Sequence, residues 1–371
     1  MQFRKIRKFL KSPGLFFRDY FNKKYPVINT EQQLNEEDEY AIIKNQTNLQ
    51  ALESSVKFSH EVPVDAVFTW VNDQDPVWQA KFARFSKCST QDIALFGKDK
   101  ARFSNHNELF YSLHSVRTYL PWIRKIFIVT DNQVPQWFTP SDNIVIVDHK
   151  TIIDPEYLPT FNSHVIEANL HKIPDLSENF IYFNDDVFVA RPLLKEHFFR
   201  NNGIASIFIS NKSLNAMLKK GVITPTLSAS LNARALLRIH YGSEIDIPLV
   251  HTYVPLKKSA YLKAWDTFFE EIHAFLPNRF RGKEDMNLAT FLVPWIMYLE
   301  GKSVSSREIC YYFNIRSPNA LTHYKKLLTQ NTNGTQPHSF CANDFKDAKL
   351  IQSYQSDFEK FITEYFKNES K

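Results

Sequence analysis

The chain has 371 residues, 43% apolar and 15% aromatic, enough to bury one sizeable domain with appendages or two domains. Its 8 glycines form neither a GxGxxG nor a GxxxxGK[ST] loop, which excludes the dinucleotide-binding and P-loop enzymes that cradle phosphate on glycine backbone. The formal charge of +5 sits at one end: residues 1–24 hold eight Lys or Arg and one Asp, the remainder 37 basic against 39 acidic residues, so the basicity belongs to the N-terminus rather than the body, and no nucleic-acid partner is expected.

The first segment, MQFRKIRKFLKSPGLFFRDYFNKK, spaces Phe3, Ile6, Phe9 and Leu10 as on a helix. Leu15, Phe16, Phe17, Tyr20 and Phe21 follow after Ser12-Pro13-Gly14. A basic amphipathic stretch of this kind is expected to lie on a membrane surface or dock a partner, with a solvated helix on the body as the plainer reading. It has no signal-peptide core or cleavage site, and no run of 18 apolar residues occurs anywhere. The longest candidate, residues 289–299, is short and contains Pro294, so the chain is expected to be peripheral rather than spanning. Residues 25–57 read as a polar helical connector. Cys88, Cys310 and Cys341 form no CxxC pair, which argues against a disulfide framework or structural zinc and fits a reducing compartment.

From Val62 the character changes. VPVDAVFTWV (62–71), KIFIVT (125–130), NIVIVD (143–148) and FIYF (180–183) predict buried strands. Leu109, Leu113, Val116 and Leu120 mark an amphipathic helix between the first two. Strands alternating with helices predict an α/β layer with a largely parallel sheet. Residues 211–242 read as helical with a Gly-Pro interruption, an insertion covering the site. Residues 345–368 carry Ile351, Tyr354, Phe358, Phe361, Ile362 and Tyr365 on one helical stripe.

Three predicted strands end in similar chemistry: Asn72, Asp73 and Asp75; Asp131, Asn132 and Gln133; Asn184, Asp185 and Asp186. Ligands of open α/β sheets bind beyond the carboxyl ends of the strands. One acidic exit is a turn or helix cap; three on one edge suggest a phosphate-bearing ligand with a hard cation, Mg²⁺ or Mn²⁺.

Five stretches, VDAVFTWVNDQDP (64–76), NELFYSLHSVRTYLPWIRKIFIVTDNQVPQW (107–137), LPTFNSHVIEANLHKIPDLSENFIYFNDDVF (158–188), HTYVPLKKS (251–259) with NRFRGKED (278–285), and FCAND (340–344), resemble in order the four blocks of the Stealth family. That family contains bacterial capsular polysaccharide phosphotransferases and the catalytic part of the animal lysosomal-enzyme GlcNAc-1-phosphotransferase. The resemblance implies a GT-A-like, Rossmann-type, mostly parallel sheet flanked by helices over residues 58–345; the residues themselves add a helical insertion at 211–245 and a terminal helix at 346–371. The resemblance also implies transfer of a hexose-1-phosphate, GlcNAc-1-phosphate by default, from a UDP-sugar to a hydroxyl of the growing capsule polysaccharide, with release of UMP. The expected location is the cytoplasmic face of the inner membrane of a Gram-negative bacterium, with capsule-assembly proteins as further partners. Two residues depart from the family pattern: Asp73 stands where Gly is usual, and His114 where Arg is usual.

On this reading Asp185 and Asp186, with Asp344, hold the cation; Arg279 and Arg281 fork onto phosphoryl oxygens; His251 is the general base. Asp65, Trp70, Asn72, Asn105, Asn107, Glu108, Asp131, Asn132, Gln133 and Asn184 fall to the donor. Each has a plainer alternative. His251 could be a hydrogen-bonded structural histidine and the arginines a solvated stripe. Glu108 fits a capping box opened by Asn105, and Trp70, Trp122 and Trp137 fit a core. An ordinary glycosyltransferase releasing UDP and a catalytically dead capsule-assembly protein are the competing functions.

Overall fold

The four apolar runs form parallel strands of one sheet: β1 (Val64–Thr69), β2 (Ile126–Thr130), β3 (Ile144–Asp148) and β4 (Asn179–Asn184). β-branched and aromatic residues dominate them, and β1, β2 and β4 are almost wholly buried, as a parallel sheet covered on both faces requires. In this computed structural model β5 (Val187–Val189), β6 (Ala205–Ile207), β7 (Val254–Lys257), β8 (Ser303–Ser305), β9 (Cys310–Asn314) and β10 (Ser339–Asn343) complete the strands. The described residues are 13, 17, 35–56, 62–88, 107–141, 143–221, 223–344 and 352–367. Leu34–Lys371 is one unit and Met1–Gln33 another. Apart from Pro13 and Phe17, the basic N-terminal segment lies outside the described residues, as do Asn105 and Ile351.

The main sheet has the order β3-β2-β1-β4-β7, parallel except for β7 against β4, which is the expected α/β class. Its register aligns the exits: Thr69 is level with Asn184 and Val129, and Thr130 with Asp148. The loops leaving β1, β2, β3 and β4 therefore emerge along one edge. Asp185 and Asp186 form the turn from β4 into β5, which belongs to a second sheet of order β5-β10-β9. The acidic turn thus stands where the two sheets meet. The Ala342 N–H of β10 donates to the Asp186 carbonyl at 3.0 Å and fixes that junction.

Helices α1 (Glu36–Ser54), α2 (Pro76–Cys88), α3 (Glu108–Tyr119), α4 (Ser163–Ala168), α5 (Leu214–Lys219), α6 (Pro225–Tyr241), α7 (Lys258–Thr267), α8 (Phe269–Phe275), α9 (Val293–Leu299), α10 (Ala320–Asn333) and α11 (Tyr354–Lys367) surround the sheets. The polar connector is α1, which buries Ile43 and Gln50 and is otherwise latched by polar contacts. The predicted insertion is α5 and α6; the Thr224 side chain caps α6, and Gly242 closes it in the left-handed conformation. Most of residues 289–297 are core, Leu288–Leu292 as a π turn leading into α9, whereas Tyr298 near its end is exposed. No helix among the described residues is long and apolar enough to cross a membrane. α11 buries Phe358, Phe361, Ile362, Tyr365 and Phe366, and its Tyr365 hydroxyl donates to the Ala190 carbonyl at 2.9 Å. The expected apolar stripe docks on the domain.

Candidate active site

At the β1 and β2 exits the amides close on each other. The Asn72 N–H donates to Gln133 Oε1, and Gln133 Nε2 returns a bond to the Asn72 carbonyl, both at 2.9 Å. Asn132 is exposed in the left-handed region at φ 53°. Asp131 pairs with Lys81 of α2 at 2.9 Å, and Asp75 caps α2 through the Trp78 N–H. Buried His149, just past β3, lies near Asp131 and Asp148, yet burial dominates and lowers its pKa to about 4.

At the β4 exit Thr69 and Tyr182 share a 3.0 Å hydrogen bond, and the Tyr182 hydroxyl donates to Asn184 Oδ1 at 2.9 Å. Burial raises the Asp185 carboxyl well above the usual range, and the charges of Glu108 and Asp186 raise it further. Asp186 Oδ2 accepts from Asn343 Nδ2 at 2.9 Å and from the Cys341 thiol at 3.4 Å. Its Oδ1 is buried with no hydrogen-bond partner. Across from it stands His251, on the segment entering β7 and exposed to the cleft. One donor atom each of Asp186, His251 and Cys341 lies within 4.8 Å of the other two. Protein around the imidazole lowers its pKa, the Asp186 carboxylate opposes that, and Lys212 adds to it. Burial keeps Cys341 a protonated thiol.

The loop bearing Arg279 and Arg281 packs through Phe280 against Trp78 and Val71, just beyond the β1 exit. Asp285, fully buried, accepts from Asn162, His164, Asn278 and the Gly282 N–H at 2.8–3.0 Å, clasping that loop to the one before α4. Trp78, Phe161 and Phe280, with Phe82 and Phe85 against them, form a small aromatic core beneath it. Arg279 donates to the Pro159 carbonyl at 2.7 Å and stacks 4.8 Å from the centre of the Phe85 ring. Arg281 donates to the Ser163 hydroxyl at 2.6 Å. Both guanidiniums are half-buried and positioned by neighbours rather than free in solvent.

Other expected residues fall elsewhere. Asp65, four residues before the β1 exit, is buried at the far end of the strand, bonded to Arg124 at 2.7 Å and to the Ser177 N–H at 2.7 Å. Trp70 belongs to the core, as do the partly buried Trp122 and Trp137. Arg316 holds the Asp344 carboxylate through both its oxygens. Asn107, at φ 64°, precedes α3 without a side-chain cap, and Glu108 is the helix's first residue rather than its third, the position a capping box needs; Asn105 lies outside the described residues. Glu108 is instead a buried acid close enough to Asp185 to raise its pKa. His114 packs edge-on against Phe366, 5.8 Å between rings. Asp73 turns its carbonyl to Gln79.

Cys341 and Asn343 escaped notice as partners of Asp186. The signal was the strand alternation in FCAND, which puts both on one face of β10. A second cluster, His197, Glu308 and His338, is buried behind His251 and carried no sequence motif.

Carboxyls, an imidazole and guanidiniums gathered at the exits of a mostly parallel sheet define an α/β enzyme with a polar, charge-handling cleft. Models of two Stealth regions match the chain, conserved region 1 over residues 62–87 and conserved region 2 over residues 102–207. The capsular polysaccharide phosphotransferase fcs1 of Haemophilus influenzae is 59% identical over 98% of this chain and 100% of its own length. The capsular polysaccharide phosphotransferase LcbA of Neisseria meningitidis is 56% identical over the same shares. The galactosyltransferase LgtC, solved with donor and acceptor sugar analogues, is a weaker likeness: 11% identity, TM-score 0.38, 82% of this chain and 99% of that one. The chain belongs to the Stealth family of capsular polysaccharide phosphotransferases.

Proposed function

We propose that this enzyme transfers a hexose-1-phosphate, with GlcNAc-1-phosphate the first candidate, from a UDP-sugar to a hydroxyl of the growing capsule polysaccharide. The acceptor oxygen forms a bond to the phosphorus carrying the sugar, the bond from that phosphorus to the bridging oxygen breaks, and UMP departs. The sugar's own C1–O bond is untouched, so its anomeric configuration is kept. The observation that carries this reading is the meeting of the Asp185-Asp186 turn with His251 at one sheet edge.

The chain's residues divide the work. His251, whose surroundings favour the neutral ring, takes the acceptor hydroxyl proton. Arg279 and Arg281, already oriented by Pro159 and Ser163, need little reorganisation to meet phosphoryl oxygens. The Asn72–Gln133 clasp and the Asp131–Lys81 pair shape the edge where the nucleotide lies. The unpartnered Asp186 Oδ1, with the Asp185 carboxyl on the same turn, fits Mg²⁺ or Mn²⁺ and leaves the His251 ring to act as the base. Such a cation, when bound, neutralises diphosphate charge. Asp344 is occupied by Arg316 and is left out of that set. The acceptor is met at the cytoplasmic face of the inner membrane, where the basic N-terminal segment holds the enzyme.

The test is the nucleotide product. With UDP-GlcNAc, Mg²⁺ and capsule oligosaccharide acceptors, UMP should appear in step with chain extension, and phosphorus NMR should show a phosphodiester. Stoichiometric UDP with a phosphorus-free polymer would hand the case to a glycosyltransferase.

A further inference from the structure

His251 is held by its backbone at the centre of a three-residue turn, since the Thr252 N–H donates to the Val250 carbonyl at 3.0 Å. The Val250 N–H is fixed to the Phe208 carbonyl at 2.8 Å, and the Cys310 thiol donates to the His251 carbonyl at 3.4 Å. A chain of side chains continues inward from the next residue. Thr252 Oγ1 lies 2.8 Å from Ser339 Oγ, which donates to Glu308 Oε1 at 2.6 Å. Glu308 Oε2 lies 2.7 Å from His197 Nε2, and His197 Nδ1 lies 3.4 Å from Gln50 Nε2 of α1. Thr252, Ser339, Glu308 and His197 are all buried.

A cation does not suit this inner cluster. His338 Nδ1 already accepts the Ile309 N–H at 3.0 Å, and both Glu308 oxygens are engaged by protein. A metal there would orphan a buried amide. The fully buried carboxylate acts instead as a rigid acceptor. It gathers the entry of β9, the start of β10 and the segment before β7 around one point.

We propose that Thr252, Ser339 and Glu308 are positioning residues for His251, holding its turn so that the ring faces Asp186 and the acceptor hydroxyl. The inference rests on the reading of His251 as the base. Misplacing a reacting group by about 1 Å can cost on the order of 100-fold in rate. A threonine hydroxyl that only filled space would be replaceable by its isostere.

The experiment compares Thr252→Val, which keeps shape and loses the hydroxyl, with Thr252→Ser, which keeps the hydroxyl, by UMP release and thermal melting. Thr252→Val should lower kcat about tenfold with donor KM within about twofold and the melting transition intact, and Thr252→Ser should restore most of it. In a His251→Ala background Thr252→Val should cost nothing more, because the group it positions is gone. Ser339→Ala should repeat the kcat loss, a second route should Thr252→Val fold poorly. Parent kcat in Thr252→Val would overturn the proposal, as would a loss that persists undiminished in the His251→Ala background. A His251→Ala enzyme with parent kcat would instead remove the base reading, and the positioning role with it.

Discussion

Asp186 and His251 meet across the cleft from different structural layers, one on the turn between the two sheets and the other on the segment entering β7, with donor atoms within 4.8 Å. Asp186 cannot satisfy both of its oxygens alone: Asn343 and Cys341 take Oδ2 and leave Oδ1 buried and unpartnered. A carboxylate in that condition is poised for an incoming cation or donor.

Asp185→Asn and Asp186→Asn should each lower turnover by roughly 100-fold or more while the far-ultraviolet dichroism stays unchanged, since the loss is charge stabilisation at a polar strand exit. EDTA should silence the parent enzyme, and Mg²⁺ or Mn²⁺ should restore it. Full turnover in EDTA would return the pair to a structural turn.

The Asp65–Arg124 pair predicts a different pattern. Its carboxylate is fully buried, ties β1 to the Arg124 and Ser177 segments, and sits away from the exits. Asp65→Asn should cost roughly 1–3 kcal/mol of stability, because the buried Ser177 N–H and the partly exposed guanidinium lose a charged acceptor. The protein that remains folded should turn over at close to the parent rate. Urea midpoints and kcat measured on one preparation check this; unchanged stability with lost turnover would put Asp65 in the site after all.

How much of this the sequence carried depended on the range of the forces involved. The four parallel strands and their aligned exits were legible because a buried parallel strand must be a short apolar run, and Asn72, Asp131 and Asp185 follow the ends of three of them. The second sheet was not legible. Val187–Val189 is too short to read, and β10 finds its partners only through long-range pairing. Asp344 looked like a third metal acid because composition cannot show that Arg316 has claimed it. Glu108 looked like a cap because the helix start was placed too early; the chain enters α3 through left-handed Asn107 instead. Asp65 shared a strand with site residues, but four residues along a strand are about 13 Å.

Acid should destabilise the fold through its buried histidines. Burial lowers the pKa of His171 from 6.5 to about 3, with Lys172 and Lys258 adding to the shift, and that of His149 to about 4. The native rings stay neutral while the unfolded chain takes up protons below about pH 6.5. Stability is therefore fully present above that pH and is lost as pH falls toward these lowered values, at about 1.4 kcal/mol per pH unit per ring. Urea midpoints at pH 7, 5.5 and 4.5 should fall accordingly, and His171→Gln should fall less steeply. A variant with the parent's slope would show that His171 does not carry the effect.

The N-terminal charge makes the last prediction. Residues 1–24 hold the chain's whole positive excess together with Phe3, Ile6, Phe9, Leu10, Phe16, Phe17 and Phe21, while the body carries nearly balanced charge. Each Lys or Arg near an anionic bilayer contributes on the order of 1 kcal/mol, and the apolar residues add to it. The full-length chain should therefore co-sediment with phosphatidylglycerol-containing vesicles at low salt and release as salt shortens the reach of the charges. A chain beginning near Tyr25 should stay in the supernatant. The matched Stealth regions begin at residue 62, so the shortened chain should keep its turnover on a soluble acceptor. Equal sedimentation of the two forms would mean that the segment does not bind lipid, and its basic, aromatic character would then point to a protein partner.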